Sequence, residues 1–219
     1  MNVILFGATG MVGQGVLREC MLDPEVAGIL CVGRSAPSQQ DSKLRSLVRA
    51  DLLDFSAVEN QLMGFDACFF CLGVTSVGAS ELDYRRITLD VTVAAAETLV
   101  RLNPGMTFIY VSALGVDSTG RSHVMWARVK GAAENAILAL PFKAACVFRL
   151  ATIVPMHGIQ SRTKLYRYAY VVLAPVLPWM FAHFPKYVTT TEQIGRAMLK
   201  IAKTRPPKPI LENADINVV

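Results

Sequence analysis

Short runs of apolar, β-branched and aromatic residues recur along the chain, separated by stretches whose apolar positions fall at helical spacing. The runs at residues 3–6, 28–32, 44–48, 66–72, 107–111 and 144–148 predict six strands. They are continuous rather than alternating. That pattern means burial on both faces, hence a parallel sheet covered by helices on each side. Helices are predicted over residues 12–21, 52–63, 83–102 and 124–140. In the first, Val12, Val16, Leu17, Cys20 and Met21 share a face, and Asp23-Pro24 ends it. Beyond residue 150 the rhythm changes, and residues 153–163 are irregular. Residues 168–184 carry no Asp, Glu, Lys or Arg. Thr189-Thr190-Thr191-Glu192-Gln193 then opens a helix with capping-box chemistry that runs to about residue 203, and 210–219 predicts a short strand. The alternation of strand and helix predicts a doubly wound α/β fold. The chain reads as a single domain, with a core over 1–155 and a small lid, substrate or interaction region over 156–219.

Composition narrows this picture. Of 219 residues, 53% are hydrophobic and 18% charged, which excludes disorder and supports one large core. The net charge of +5 is spread out, with no aromatic-interleaved basic stripe, so no nucleic-acid partner is expected. A mean hydropathy of +0.38 raises the question of membrane contact. The charge-free stretch holds 17 residues, at ~1.5 Å each roughly 26 Å, short of the ~30 Å hydrocarbon core. Pro175 and Pro178 interrupt it as well, so no transmembrane helix is expected. It remains either a substrate lid or subunit contact, or a surface that docks on a membrane or an apolar partner, flanked by Lys164, Arg167 and Lys186. A lid of this composition implies a small, apolar substrate for a monomer or homodimer. Five cysteines, an odd number, point to reduced thiols. The N-terminus reads as a strand and not as a secretory leader, so the expected location is cytoplasmic. Cys68 and Cys71 form a CxxC, but an offset of three puts them on opposite faces of a strand. They read as buried small hydrophobes, and no metal site is expected.

The most informative segment is Phe6-Gly7-Ala8-Thr9-Gly10-Met11-Val12-Gly13, a GxxGxxG directly after a strand and before a helix. The first glycine allows a tight turn, the second lets the backbone approach a diphosphate, and the third lets helix and strand pack closely. The diphosphate then sits on the positive helix end, where free N–H groups point at it. This is the dinucleotide-binding arrangement of a Rossmann-type sheet.

With these residues the chain resembles the short-chain dehydrogenase/reductase superfamily, in its atypical branch, where GxxGxxG replaces GxGxxG. At the end of the second strand, Arg34-Ser35 stands where an NAD-preferring site places Asp or Glu. A guanidinium there pairs with a 2′-phosphate, so the expected cofactor is NADP, with NADPH preferred over NADH. Asp51-Leu52 is similar to the family's adenine-contacting pair, and Asp51 is also read as a helix N-cap. Cys71-Leu72-Gly73 stands where the family's backbone lines the cofactor ribose, and Asp90 near its helix-four polar residue.

The resemblance also assigns the catalytic positions, with one departure. Ser112 matches the family's active-site serine at the end of the fifth strand. In Trp126-Ala127-Arg128-Val129-Lys130, Lys130 matches the lysine of the family's YxxxK, which holds the nicotinamide ribose. The tyrosine that passes the proton is replaced by Trp126, whose indole N–H donates but does not ionise near neutral pH. General acid catalysis contributes roughly 10²–10⁴-fold, so the standard mechanism is weakened. Two readings stay open: an oxidoreductase or epimerase-like enzyme using another acid, or a non-catalytic NADPH-binding regulator. Candidate acids are His123, Ser112 through a water, and Tyr166, Tyr168 and Tyr170. Val129-Lys130-Gly131-Ala132-Ala133-Glu134 resembles the VKGxxE of the branch that holds the Tat-interacting-protein oxidoreductase and epimerase-like relatives. Leu150, Thr152 and Ile153, after the sixth strand, resemble the stretch the family places beside the nicotinamide, with Leu-Ala where it has Pro-Gly.

Overall fold

The computed structural model describes residues 1–160 and 186–219. Seven parallel strands form one sheet: β1 Asn2–Phe6, β2 Gly28–Gly33, β3 Leu44–Val48, β4 Ala67–Phe70, β5 Thr107–Ala113, β6 Ala144–Leu150 and β9 Ile210–Glu212. Their order is β3-β2-β1-β4-β5-β6-β9, the reversal on either side of β1 that defines the doubly wound Rossmann arrangement. β7 Thr152–Val154 and β8 Val188–Thr190 form a separate parallel pair. The helices are α1 Met11–Leu22, α2 Glu81–Arg85, α3 Val91–Leu102, α4 Met125–Ala139, α5 Thr191–Lys203 and α6 Asn213–Ile216.

Each central strand sends alternate side chains into two cores. Ile4, Phe6, Cys68, Phe70, Phe108 and Tyr110 pack with α3 and α4. Val3, Leu5, Cys31, Phe69, Ile109 and Phe148 pack with α1, α5 and α6. Phe6, Phe70 and Phe108 stack across three strands at centroid distances of 4.9 and 5.9 Å. Cys68 faces the first core and Cys71 the second, as the offset of three requires. All five thiols are free, and burial pushes the Cys31 and Cys146 thiols up to about 12. Residues 188–219, expected in a lid or interaction region, supply β8, the sheet strand β9 and the helix α5 packed against α1.

Three local expectations are corrected. The helix expected over 52–63 is only a 3₁₀ turn, Ser56–Gln61. Asp51 Oδ1 accepts from the Leu53 N–H at 2.9 Å and Asp54 Oδ1 from the Ser56 N–H at 2.8 Å. These side-chain turns compete with the helix, so Asp51 caps none. The helix expected over 83–102 is interrupted by a π-helical turn, Arg86–Asp90, between α2 and α3. The terminal strand stops at Glu212, because Glu212 and Asp215 form a reciprocal capping box that starts α6. The last long helix begins as expected: Thr190 caps α5, its hydroxyl accepting from the Gln193 N–H at 3.0 Å. The charge-free stretch 168–184, with Lys164 and Arg167, lies outside the described residues. Among the described residues, no helix is long and apolar enough to cross a membrane.

Candidate functional site

Phe6 ends β1, and Gly7 turns the chain at φ +77°, a left-handed conformation in which side chains are strained. The Gly10 N–H returns to the Gly7 carbonyl at 2.9 Å, and α1 starts at Met11. A Cβ on Gly13 would stand 2.0 Å from the Gly7 oxygen, so only glycine lets the helix sit this close to the turn. Gly10 is different: a Cβ there would meet nothing nearer than 3.4 Å, and its face opens on a cavity. No side chain caps α1, which leaves its first-turn N–H groups to a ligand.

That cavity, about 600 Å³, is walled by Gly7, Thr9 and Gly10 on one side and by Arg34, Ser35, Cys71, Leu72 and Gly73 on the other. A second cavity of about 330 Å³ continues from it, sharing Arg34, Leu72 and Gly73 and adding Asp51, Leu52, Asp83, Arg86 and Ile87. The expected nucleotide residues at the ends of β1, β2, β3 and β4 are thus brought into one continuous cleft. Met11 and Val12 open α1, with Val12 turned to the core beneath. Leu150, Thr152 and Ile153 line neither cavity. Leu150 is buried, and Thr152 and Ile153 pair with β8. Asp90 faces Arg85 at 3.7 Å.

The residues expected to react lie one strand over, on β5 and α4, and line neither cavity. Ser112 is buried, and its hydroxyl donates to Glu134 Oε1 at 2.5 Å. Glu134 has no exposed surface; it also accepts from Arg149 Nη2 at 2.6 Å and from the Ser118 hydroxyl at 3.3 Å. Arg149 Nη2 donates to the Ser118 oxygen as well, at 2.6 Å. The Glu134 contact raises the Arg149 guanidinium above its ordinary value. Gly131 lets α4 press on the loop after β5, since a Cβ there would lie 1.9 Å from the Asp117 carbonyl oxygen. The Asp117 carboxyl is held down to about 2 by the Thr119 hydroxyl and the Ser122 and Thr119 N–H groups. The VKGxxE motif is therefore one packing unit, with the buried Glu134 paired to the half-buried Arg149 behind it.

Lys130 lies one turn from Glu134 on α4, half-buried, with its ammonium 5.4 Å from the Tyr110 ring centroid. Among the described residues it has no hydrogen-bond or ion-pair partner, because the Glu134 oxygens are already taken. Burial brings its pKa down from 10.5 to about 8. Trp126, one turn earlier, packs on the α3–α4 core, and its ring would be 3.6 Å from a Cβ on Gly115. His123 is exposed on the loop before α4. Tyr166, Tyr168 and Tyr170 lie outside the described residues. Sequence reasoning missed Arg86, Ile87 and the Ser112–Glu134–Arg149–Ser118 network. Glu134 stood in the quoted motif, but nothing in the motif names its partners.

A family model described as the NAD dependent epimerase/dehydratase family matches residues 3–122. The chain belongs to that family. Among relatives, it is 25% identical over 228 residues to the protein FMP52, mitochondrial, of Meyerozyma guilliermondii, covering 99% of this chain and 94% of the relative. In fold it is similar to the enzyme WbmH of Bordetella bronchiseptica, solved in complex with NAD+, at TM-score 0.69 and 14% identity over 96% of this chain and 74% of the other. It is similar as well to UDP-N-acetylglucosamine 4-epimerase of Methanobrevibacter ruminantium, solved with UDP-N-acetylmuramic acid. There the TM-score is 0.71 and identity 14%, over 96% of this chain and 75% of the other. Family membership carries a pyridine-nucleotide cofactor with it, and the residues present fit one: an uncapped helix end, a Cβ-free face at Gly10 and, among the described residues, a Lys130 ammonium with no hydrogen bond or ion pair. The expected cytoplasmic location is overturned, because the FMP52 relative is named as mitochondrial. Reduced thiols argue only against oxidising compartments, and they do not separate the cytosol from the mitochondrion.

Proposed function

We propose that this chain binds NADP(H) and acts as an oxidoreductase or epimerase-like enzyme on a small, apolar carbonyl substrate, in the mitochondrion as its relative does by name. The observation that carries the cofactor choice is Arg34. It lines both cavities at the end of β2, where a ribose with a free 2′-OH would need a carboxylate. The first turn of α1 would hold the diphosphate, and Asp51 and Leu52 the adenine. Lys130 would hold the nicotinamide ribose. A bound nicotinamide would supply or accept the hydride. The proton needs a titrating group, which Trp126 is not. Ser112 is committed as a donor to Glu134. Lys130, with three N–H donors and a pKa near 8, can hold a ribose hydroxyl and still deliver a proton to the substrate oxygen.

One observation favours a second reading, a non-catalytic NADPH-binding regulator: the two polar groups of the family's reaction are absent or engaged, in Trp126 and Ser112. Calorimetry should show NADPH binding more tightly than NADH, and binding of neither would remove both readings. Wild type and Trp126→Tyr are then assayed with NADPH on a panel of carbonyl compounds. Turnover by wild type that Trp126→Tyr does not improve supports the enzyme with its own acid. An inert wild type, with activity gained in Trp126→Tyr, supports the regulator.

A further inference from the structure

We infer that Arg86 is a second specificity residue, which grips the 2′-phosphate of the cofactor together with Arg34. This deepens the NADP(H) reading above and rests on it.

Arg86 opens the π-helical turn Arg86–Asp90. A π turn adds a residue to the helical repeat and re-aims the side chains around it. Here Arg86 and Ile87 line the 330 Å³ cavity that also holds Asp51 and Leu52. Arg85, its neighbour, leaves the cavity and faces Asp90 at 3.7 Å. Arg34 lines the same cavity from the end of β2, so two arginines from unconnected elements border it.

The charges of this cavity are used unequally. Both carboxylates have local donors: Asp51 Oδ1 accepts from the Leu53 N–H at 2.9 Å, and Asp83 Oδ2 from the Ser80 hydroxyl at 2.7 Å. Among the described residues, neither Arg34 nor Arg86 has an ion pair or a hydrogen bond. By contrast Arg101, Arg128, Arg149 and Arg196 are each paired with a carboxylate. Arg49, nearby after β3, donates to the Asp54 carbonyl at 3.2 Å. Two uncommitted guanidinium groups across a nucleoside-sized space suit a dianionic phosphate ester, which offers acceptors to both sides. A plain ribose hydroxyl can accept from both but brings no charge to offset either cation.

The test is calorimetry on the full chain with NADPH, NADH, adenosine 2′,5′-bisphosphate and 5′-AMP. The variants are Arg34→Ala, Arg86→Ala and, as an exposed cation outside the cavity, Arg45→Ala. Unchanged melting temperatures establish that each variant is folded. Arg86→Ala should weaken NADPH and the bisphosphate by about tenfold or more, as loss of a charge-assisted hydrogen bond does, with NADH and 5′-AMP within about twofold. If Arg86→Ala behaves like Arg45→Ala while Arg34→Ala loses the NADPH preference, the inference is overturned and the cofactor reading stands. Equal weakening of all four ligands also overturns it. A wild type that does not prefer NADPH removes the cofactor reading itself.

Discussion

The two regions that the sequence singles out are built from different materials. The glycine-turn region, at the ends of β1 and β2, presents main-chain N–H groups and, among the described residues, unpaired guanidinium groups to the cavities. The β5–α4 region, which lines neither cavity, presents side chains hydrogen-bonded to one another. The match to the family model spans residues 3–122 and stops before α4. The difference teaches that the two regions should be separable by mutation, since the first rests on a turn and a helix end and the second on a network of side chains.

Three measurements sharpen or break this contrast. The largest effect belongs to Gly13→Ala, whose methyl would meet the Gly7 oxygen at 2.0 Å. It should cost more than about 3 kcal/mol, beyond ordinary overpacking, and yield little folded protein. Gly10→Ala, three residues away, should keep its melting temperature and lose nucleotide affinity. Equal effects of the two changes would mean that the turn does not separate folding from binding. Next comes Glu134→Ala, which leaves the half-buried Arg149 guanidinium only the Ser118 hydroxyl. It should destabilise by about 2–3 kcal/mol, whereas Ser112→Ala should cost only about 1 kcal/mol. If the two cost the same in chemical denaturation, the network is not centred on Glu134.

The smallest effect is a pH dependence. Lys130 has a folded pKa of about 8 against an ordinary 10.5, so between those values the unfolded chain binds more protons. Stability from this group therefore rises with pH across that window, and Lys130→Met should flatten the rise. In the enzyme reading, NADPH-dependent carbonyl reduction should fall above pH about 8 as the ammonium loses its proton. A rate that is flat from neutral pH to well above that value would exclude Lys130 as the proton donor.

Much of the fold is legible in the sequence, because strands buried on both faces must be continuously apolar, and those at residues 3–6 and 107–111 are. The glycine turn is legible too, since each glycine answers a separate steric demand. Other features depend on competition that composition does not reveal. Asp51 and Asp54 spend their carboxylates on local turns and dissolve a helix that the apolar spacing allows. Arg149 lies 15 residues from Glu134, and their meeting depends on β6 lying beside β5. Arg86 lines the cleft where a π turn begins, a register change with no periodic signature in the sequence.

The turn from Gly7 to Gly13 has a further consequence. Its recognition groups are amides, which neither titrate in the biological range nor react with thiol, amine or carboxyl reagents. Amine reagents should therefore modify Lys130 and leave the glycine turn intact. Labelling with and without nucleotide would then map the site by what it shields, since in the proposed reading the cofactor would protect Lys130 from amine reagents and Arg34 and Arg86 from dicarbonyl reagents.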